Sequence, residues 1–155
     1  MRSLEQLIGD VPALAGLSDA HRATIAGCAR NRALAAGETI MREGEHADAF
    51  FVIRAGTVAL STPVPGRGAV VVQTLHAGDL LGWSWLVPPY RTAFDAVAAE
   101  PARAIALDGA CLRGKCDADP ALGYALLKVL AAVFAERLQD TRLRLLDLYG
   151  ASAGD

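Results

Sequence analysis

Leu80-Leu81-Gly82-Trp83-Ser84-Trp85-Leu86-Val87-Pro88-Pro89-Tyr90-Arg91-Thr92-Ala93-Phe94-Asp95 brings a glycine, two tryptophans and an arginine closer together than any other stretch of the chain. A glycine that opens a short helical turn lets backbone N–H groups approach an anion, and an arginine returning on the following strand supplies the matching charge. Gly82 and Arg91 hold those two places. The stretch therefore reads as one wall of a pocket built into a barrel. Trp83 and Trp85 are two apart and do not share a face of a helical turn, so one enters the pocket while the other packs elsewhere. Arg91 and Asp95 share parity on an extended segment and point to the same face. A carboxylate on an interior face needs a partner. Arg91 is the nearest candidate, although four strand residues span about 13 Å, so contact requires extended side chains or a bridging water.

Outward from this stretch, residues 32–108 break into short alternating or β-branched runs cut by glycine. Phe50-Phe51-Val52-Ile53 and the run from Ala69 to Leu75 are the strongest strand signals. Gly37, Gly44, Gly56, Gly66, Gly68, Gly78 and Gly82 stand where turns of positive φ belong. Many short strands at this spacing predict a sandwich or barrel, here a jelly-roll-like β-roll. The flanks are helical. Leu4, Leu7 and Ile8 share a face before Val11-Pro12 interrupts it, and Ser18 caps a helix predicted over Asp19–Arg30 with Ile25, Cys28 and Ala29 inward. Beyond Pro120, the residues Leu127, Leu130, Phe134, Leu138, Thr141, Leu145 and Leu148 recur at three- and four-residue steps, a stripe along one helix ending near Gly150. The fold class is mainly β with flanking helices in one domain over 1–155, divided into helices (1–31), roll (32–108) and a C-terminal helical segment (109–155).

The 155 residues, 53% hydrophobic and 21% charged, suffice for one full core. A net charge of −2 without any basic run argues against direct nucleic-acid binding. Arg137, Arg142 and Arg144 alternate with leucines and read as a solvated helix face. The N-terminus has neither leader nor membrane-span character, which predicts a cytoplasmic protein and no membrane partner. Cys28, Cys111 and Cys116 make an odd count without metal-type pair spacing, so reduced thiols are expected, with Cys111 and Cys116 as filler. His21, His46 and His76 are scattered singly, which gives no metal site. Gly82-Trp83-Ser84-Trp85-Leu86 lacks the second glycine of a nucleophile elbow, so no catalytic residue is assigned.

Several groups in this order carry a resemblance: Leu14-Ala15-Gly16-Leu17-Ser18, Gly37-Glu38-Thr39-Ile40, Glu43-Gly44, Ala47 to Ile53, Gly56-Thr57-Val58, Leu75 with Gly78-Asp79, then Leu81-Gly82 and Arg91-Thr92-Ala93. In these the chain resembles the cyclic-nucleotide-binding domain family over nearly its whole length. The resemblance implies a non-enzymatic regulatory module with cyclic AMP or cyclic GMP as the ligand class. It also implies a C-terminal helix that pairs with its twin, and the stripe is longer than one barrel flank needs. A parallel homodimer through Leu127, Leu130, Phe134, Leu138 and Leu145 is therefore expected, flanked by Lys128, Glu136 and Arg137. The transcription-factor branch of the family carries a helix-turn-helix after this helix. None follows in these residues, which implies action through a separate, unidentified protein partner.

One departure stands out. Where the family's phosphate-binding cassette has a glutamate that accepts hydrogen bonds from the ribose 2′-hydroxyl, this chain has Trp83, whose indole only donates. Nucleotide binding is expected to be weak or lost. Trp83 would form an aromatic platform or plug the pocket, the latter being the expectation, with Ser84 and Asp95 as the remaining acceptors. The candidate ligand-binding residues are Gly82, Trp83, Ser84, Trp85, Arg91, Thr92 and Asp95. Two other readings are a cupin-like metal-dependent enzyme and a ligand-free dimeric structural subunit.

Overall fold

The computed structural model describes residues 2–153. Helix α1 (Leu4–Gly9) begins with a capping box in which Ser3 and Gln6 satisfy each other's backbone N–H groups. A 3-10 turn at Pro12–Leu14 follows, then α2 (Asp19–Ala26), capped by the Ser18 hydroxyl, which accepts from the His21 N–H at 3.1 Å. Helix α2 ends at Gly27, earlier than the expected Arg30. Residues Ala29 to Leu34 instead form β1, because six successive positions pair antiparallel with a later strand, Ala29 opposite Leu107 through Leu34 opposite Ala102. The roll thus starts at Ala29 rather than at residue 32.

The remaining strands are β2 (Thr39–Met41), β3 (Ala49–Ala55), β4 (Val58–Val64), β5 (Gly68–Leu75), β6 (Leu80–Leu81), β7 (Asp95–Ala98) and β8 (Ala102–Asp108). They form two four-stranded sheets, ordered β1-β8-β3-β6 and β2-β7-β4-β5, with antiparallel pairing throughout. This is the expected mainly-β roll. All seven glycines assigned to turns have positive φ. Gly56 shows why glycine is required: a Cβ there would lie 2.5 Å from the Pro101 carbonyl oxygen and 2.8 Å from the Ala102 backbone, where the β3–β4 turn meets the start of β8.

Alternation along the strands divides the apolar residues between two cores. Leu34, Phe51, Ile53, Val58, Leu60, Leu75, Leu81 and a row of alanines fill the space between the sheets. Phe50, Val52, Ile105 and Leu107 point from the other face of β3 and β8 toward the helices and meet Ile8, Leu14, Ile25 and Leu112. Helix α3 (Gly109–Ala118), capped by Asp108, and α4 (Pro120–Ala153) close this second core. Leu122, Leu126 and Leu130 of α4 are buried in it, while Leu127, Phe134, Leu138, Leu145 and Leu148 are exposed. Leu130, 3% exposed, belongs to the chain's own core and is withdrawn from the expected dimer seam. Helix α4 also continues through Gly150, where the stripe had suggested a stop.

Two of the arginines expected to be solvated instead bind the roll. Arg137 donates to the Leu80 carbonyl, and Arg144 donates to the Val72 carbonyl at 2.6 Å. Both acceptors lie on short or edge strands whose outward carbonyls lack a strand partner, which gives the two guanidinium groups their docking points. The cysteines differ from expectation as well. Cys28 and Cys111 form a disulfide with a Cα–Cα separation of 5.8 Å, and only Cys116, buried, is free. The Asp108 N–H already donates to the Cys28 carbonyl at 2.9 Å, so the β1–β8 ladder itself brings the two cysteines together. No helix of the described residues is long and apolar enough to cross a membrane.

Candidate functional site

The candidate cassette is the limb from Gly82 to Asp95. It leaves the sheet at β6, whose Leu80 and Leu81 pair with Val52 and Phe51. Gly82 has φ +94°, and a Cβ on it would stand 2.9 Å from the Met41 methyl and 3.2 Å from the Ala49 carbonyl oxygen. Only glycine lets the chain turn here at such close range. One turn of i to i+3 bonds follows: Leu86 N–H to the Trp83 carbonyl at 3.2 Å and Val87 N–H to the Ser84 carbonyl at 3.3 Å. This is the expected short helical turn after Gly82. The limb then passes a cis Pro88–Pro89 bond and Tyr90, at φ +58°, before returning alongside the β2–β3 loop.

The return is not a strand at Arg91. Arg91 makes an isolated antiparallel bridge with His46, β7 begins only at Asp95, and Thr92 is held by backbone bonds at 2.8 Å to Gly44 and Glu45. The irregular backbone between Arg91 and Asp95 breaks the parity expected of a continuous strand. The two side chains go different ways as a result. Arg91 is exposed and makes no ion pair among the described residues, whereas Asp95 accepts from the Glu43 N–H at 2.7 Å. Asp95 thus holds the β2–β3 loop and does not partner Arg91.

Both indoles belong to the helix-side core. Trp85 is 1% exposed and stacks on Phe50 with ring centroids 5.7 Å apart, and its Nε1 has no hydrogen-bond partner. Trp83 meets Phe134 of α4 edge to face, centroids 5.5 Å apart and planes at 89°. The Trp83 indole therefore points toward α4, where an aromatic partner stands. Ser84 and Thr92 are buried. Met41, whose methyl lies at Gly82, and Phe94 pack against the inter-sheet core beneath the limb.

Arg113, which the sequence reading did not single out, and Phe134, expected only in the dimer seam, shape this limb. Arg113 of α3 donates to the Trp85 carbonyl at 2.5 Å and places its guanidinium carbon 4.7 Å from the centre of the Tyr90 ring. Phe134 receives Trp83. No local pattern ties Arg113 to a limb 28 positions earlier, so no sequence signal could have exposed it. Between α4 and the β5–β6 turn lies an open groove of about 570 Å³ lined by Leu75, Leu80, Val129, Val133 and Arg137. Burial pushes the Arg137 guanidinium below its ordinary pKa, against the pull of Asp79 and Glu136. Among the described residues no three His, Cys, Asp or Glu side chains converge as a metal site, and His21 and His46 each face one aspartate, Asp119 at 3.5 Å and Asp48 at 3.4 Å.

Solved structures give the same architecture. A Geobacter metallireducens GS-15 protein bearing a cyclic nucleotide-binding description superposes with a TM-score of 0.79 at 29% identity, over 89% of this chain and 99% of that one. A cyclic nucleotide-binding domain from Methylobacillus flagellatus KT gives 0.78 at 18% identity, over 93% and 81%. The regulatory domain of Toxoplasma gondii PKA, crystallised with cAMP, gives 0.71 at 21% identity, over 86% of this chain and 49% of that one. The latter two likenesses speak for the fold alone. No curated protein sequence matches the chain. The model of the cyclic nucleotide-binding domain matches residues 31–119, more than half the chain, from within β1 to the end of α3 and with the entire Gly82–Asp95 limb inside it; the chain belongs to the cyclic nucleotide-binding domain family.

Proposed function

We propose that this domain is a non-enzymatic regulatory module whose affinity for cyclic AMP or cyclic GMP is weak or lost. The observation that carries the reading is Trp83 at the cassette's acidic position, with its ring engaged by Phe134. An indole offers no acceptor to a ribose hydroxyl. Asp95, the nearby carboxylate, is already engaged by the Glu43 amide. A missing hydrogen bond to a charged group costs about 1.5–3 kcal/mol, or about 10- to 150-fold in affinity. Gly82 and the exposed Arg91 still supply the two parts of an anion site, so a phosphate-bearing ligand is the class to test first.

Calorimetry with cyclic AMP is the test, and it should find no binding tighter than high micromolar. Trp83→Glu should recover part of the affinity, and Arg91→Ala in that background should abolish what is regained. Tight binding by the unmodified protein would refute this reading. Equal failure of every variant would favour a ligand-free structural subunit acting through α4.

The exposed apolar residues of α4 support a homodimer as the working state. Its seam runs through Leu127, Phe134, Leu138 and Leu145, without Leu130.

A further inference from the structure

The Cys28–Cys111 bridge joins the residue just ahead of β1 to the first turn of α3, across a sequence separation of 83. Its two ends differ in access. Cys28 is buried and Cys111 is partly exposed. Thiol–disulfide exchange needs a path to one sulfur, and Cys111 is the less buried of the two. The third cysteine, Cys116, sits farther along α3, where burial, with Asp117 and Asp119, pushes its thiol up and keeps it protonated and inert. Between them stands Arg113, which holds the Trp85 carbonyl and the Tyr90 ring. At the start of the same helix the Gly109 N–H donates to the Asp48 carbonyl at 2.8 Å. Helix α3 thus carries both a bridged sulfur and the anchor of the cassette.

We propose that Cys28 and Cys111 form a reversible redox site whose bridge pins α3 to the head of β1 and, through Arg113, restrains the Trp85–Tyr90 part of the cassette. The co-reactant is a low-molecular-weight thiol–disulfide couple of the glutathione class. In the reduced pair the Cys111 thiolate attacks one sulfur of the small disulfide, forming a mixed disulfide and expelling one small thiolate. The Cys28 thiolate then attacks the Cys111 sulfur, closing the bridge and expelling the second. The two protein thiols give up two protons to the departing thiolates, and two electrons pass from the protein to the small disulfide. Reduction runs the same steps backward. The site does not depend on what the cassette binds.

The test equilibrates the full chain across ratios of reduced to oxidised glutathione. Alkylation with mass spectrometry counts the thiols, and hydrogen exchange follows residues 82–95 in each form. The expected result is a single two-electron transition in the folded protein, with Cys116 the one free thiol of the oxidised form. Reduction should speed exchange over Trp85–Tyr90 by about tenfold. Cys111→Ser, or Cys28→Ala should that variant fail to fold, should exchange at the fast rate at every ratio, while Cys116→Ser should leave both behaviours in place. Arg113→Ala should exchange fast even when bridged. A bridge that never forms, or that yields to reductant only after unfolding, would overturn the redox site. Equal exchange in the two forms would overturn the coupling to the cassette.

Discussion

Gly56 and Gly82 both adopt positive φ, but what surrounds them sets different costs for a methyl group. At Gly82 the neighbours are the end of the flexible Met41 side chain, which can move, and the Ala49 carbonyl oxygen at 3.2 Å, so Gly82→Ala should cost at least the left-handed backbone strain of about 1–2 kcal/mol. At Gly56 the neighbours are the Pro101 carbonyl and the Ala102 backbone, which cannot swing away, so Gly56→Ala should cost clearly more. Urea denaturation of the two variants measures the difference, and equal losses would show that strain alone sets the cost. Turn glycines were legible in the sequence because positive φ is a local requirement visible between apolar runs. The direction of Trp83 was not. It depends on Phe134, far along the chain, just as the engagement of Asp95 depends on the amide of Glu43 across the β2–β3 loop. The sequence marked out the Gly82–Asp95 limb as a candidate; which contacts its side chains make is set by elements that meet only in the folded chain.

Among the elements, α4 has two sections with different neighbours. Its first turns bury Leu122, Leu126 and Leu130 against the helix-side core, and Arg137 and Arg144 then fasten it to carbonyls of β6 and β5. Arg137→Ala removes a charge-assisted bond in a partly buried setting and should lower stability by about 1.5–3 kcal/mol, read as a shifted denaturation midpoint with an unchanged slope. An unaltered midpoint would show that solvent replaces the guanidinium at no cost. On this part of the helix Leu138, at 64% exposed, and Leu145, at 50%, lie open to water. Light scattering at micromolar concentration should give twice the chain mass of 16.2 kDa, and Leu138→Glu should return the single mass. A monomer before mutation would rule out the seam. The helix and its stripe were legible from their three- and four-residue steps. Where the stripe passes from the chain's own core to open surface was not, since periodicity reports a shared face and not what covers it.

At the scale of the whole molecule, the sheet β1-β8-β3-β6 is a partition with a core on each side. The cassette crosses its edge: Leu81 packs between the sheets, while Trp83 and Trp85 pack with the helices. The expected roll and its flanking helices are both present, and the disulfide was hidden because pairing of β1 with β8, not spacing along the chain, brings Cys28 to Cys111. The exposed outer part of α4 gives the molecule a mechanical property. Gly150 lies about 30 Å beyond Leu130 at 1.5 Å per residue. Arg137 and Arg144 tie that length back to carbonyls of β6 and β5, so it is a braced arm and not a free lever. Without those two ties, a tilt of about 10° at the buried root would sweep the tip through about 5 Å, a whole helical turn's pitch, so the arginines decide whether this length of helix is a fixed arm or a swinging one.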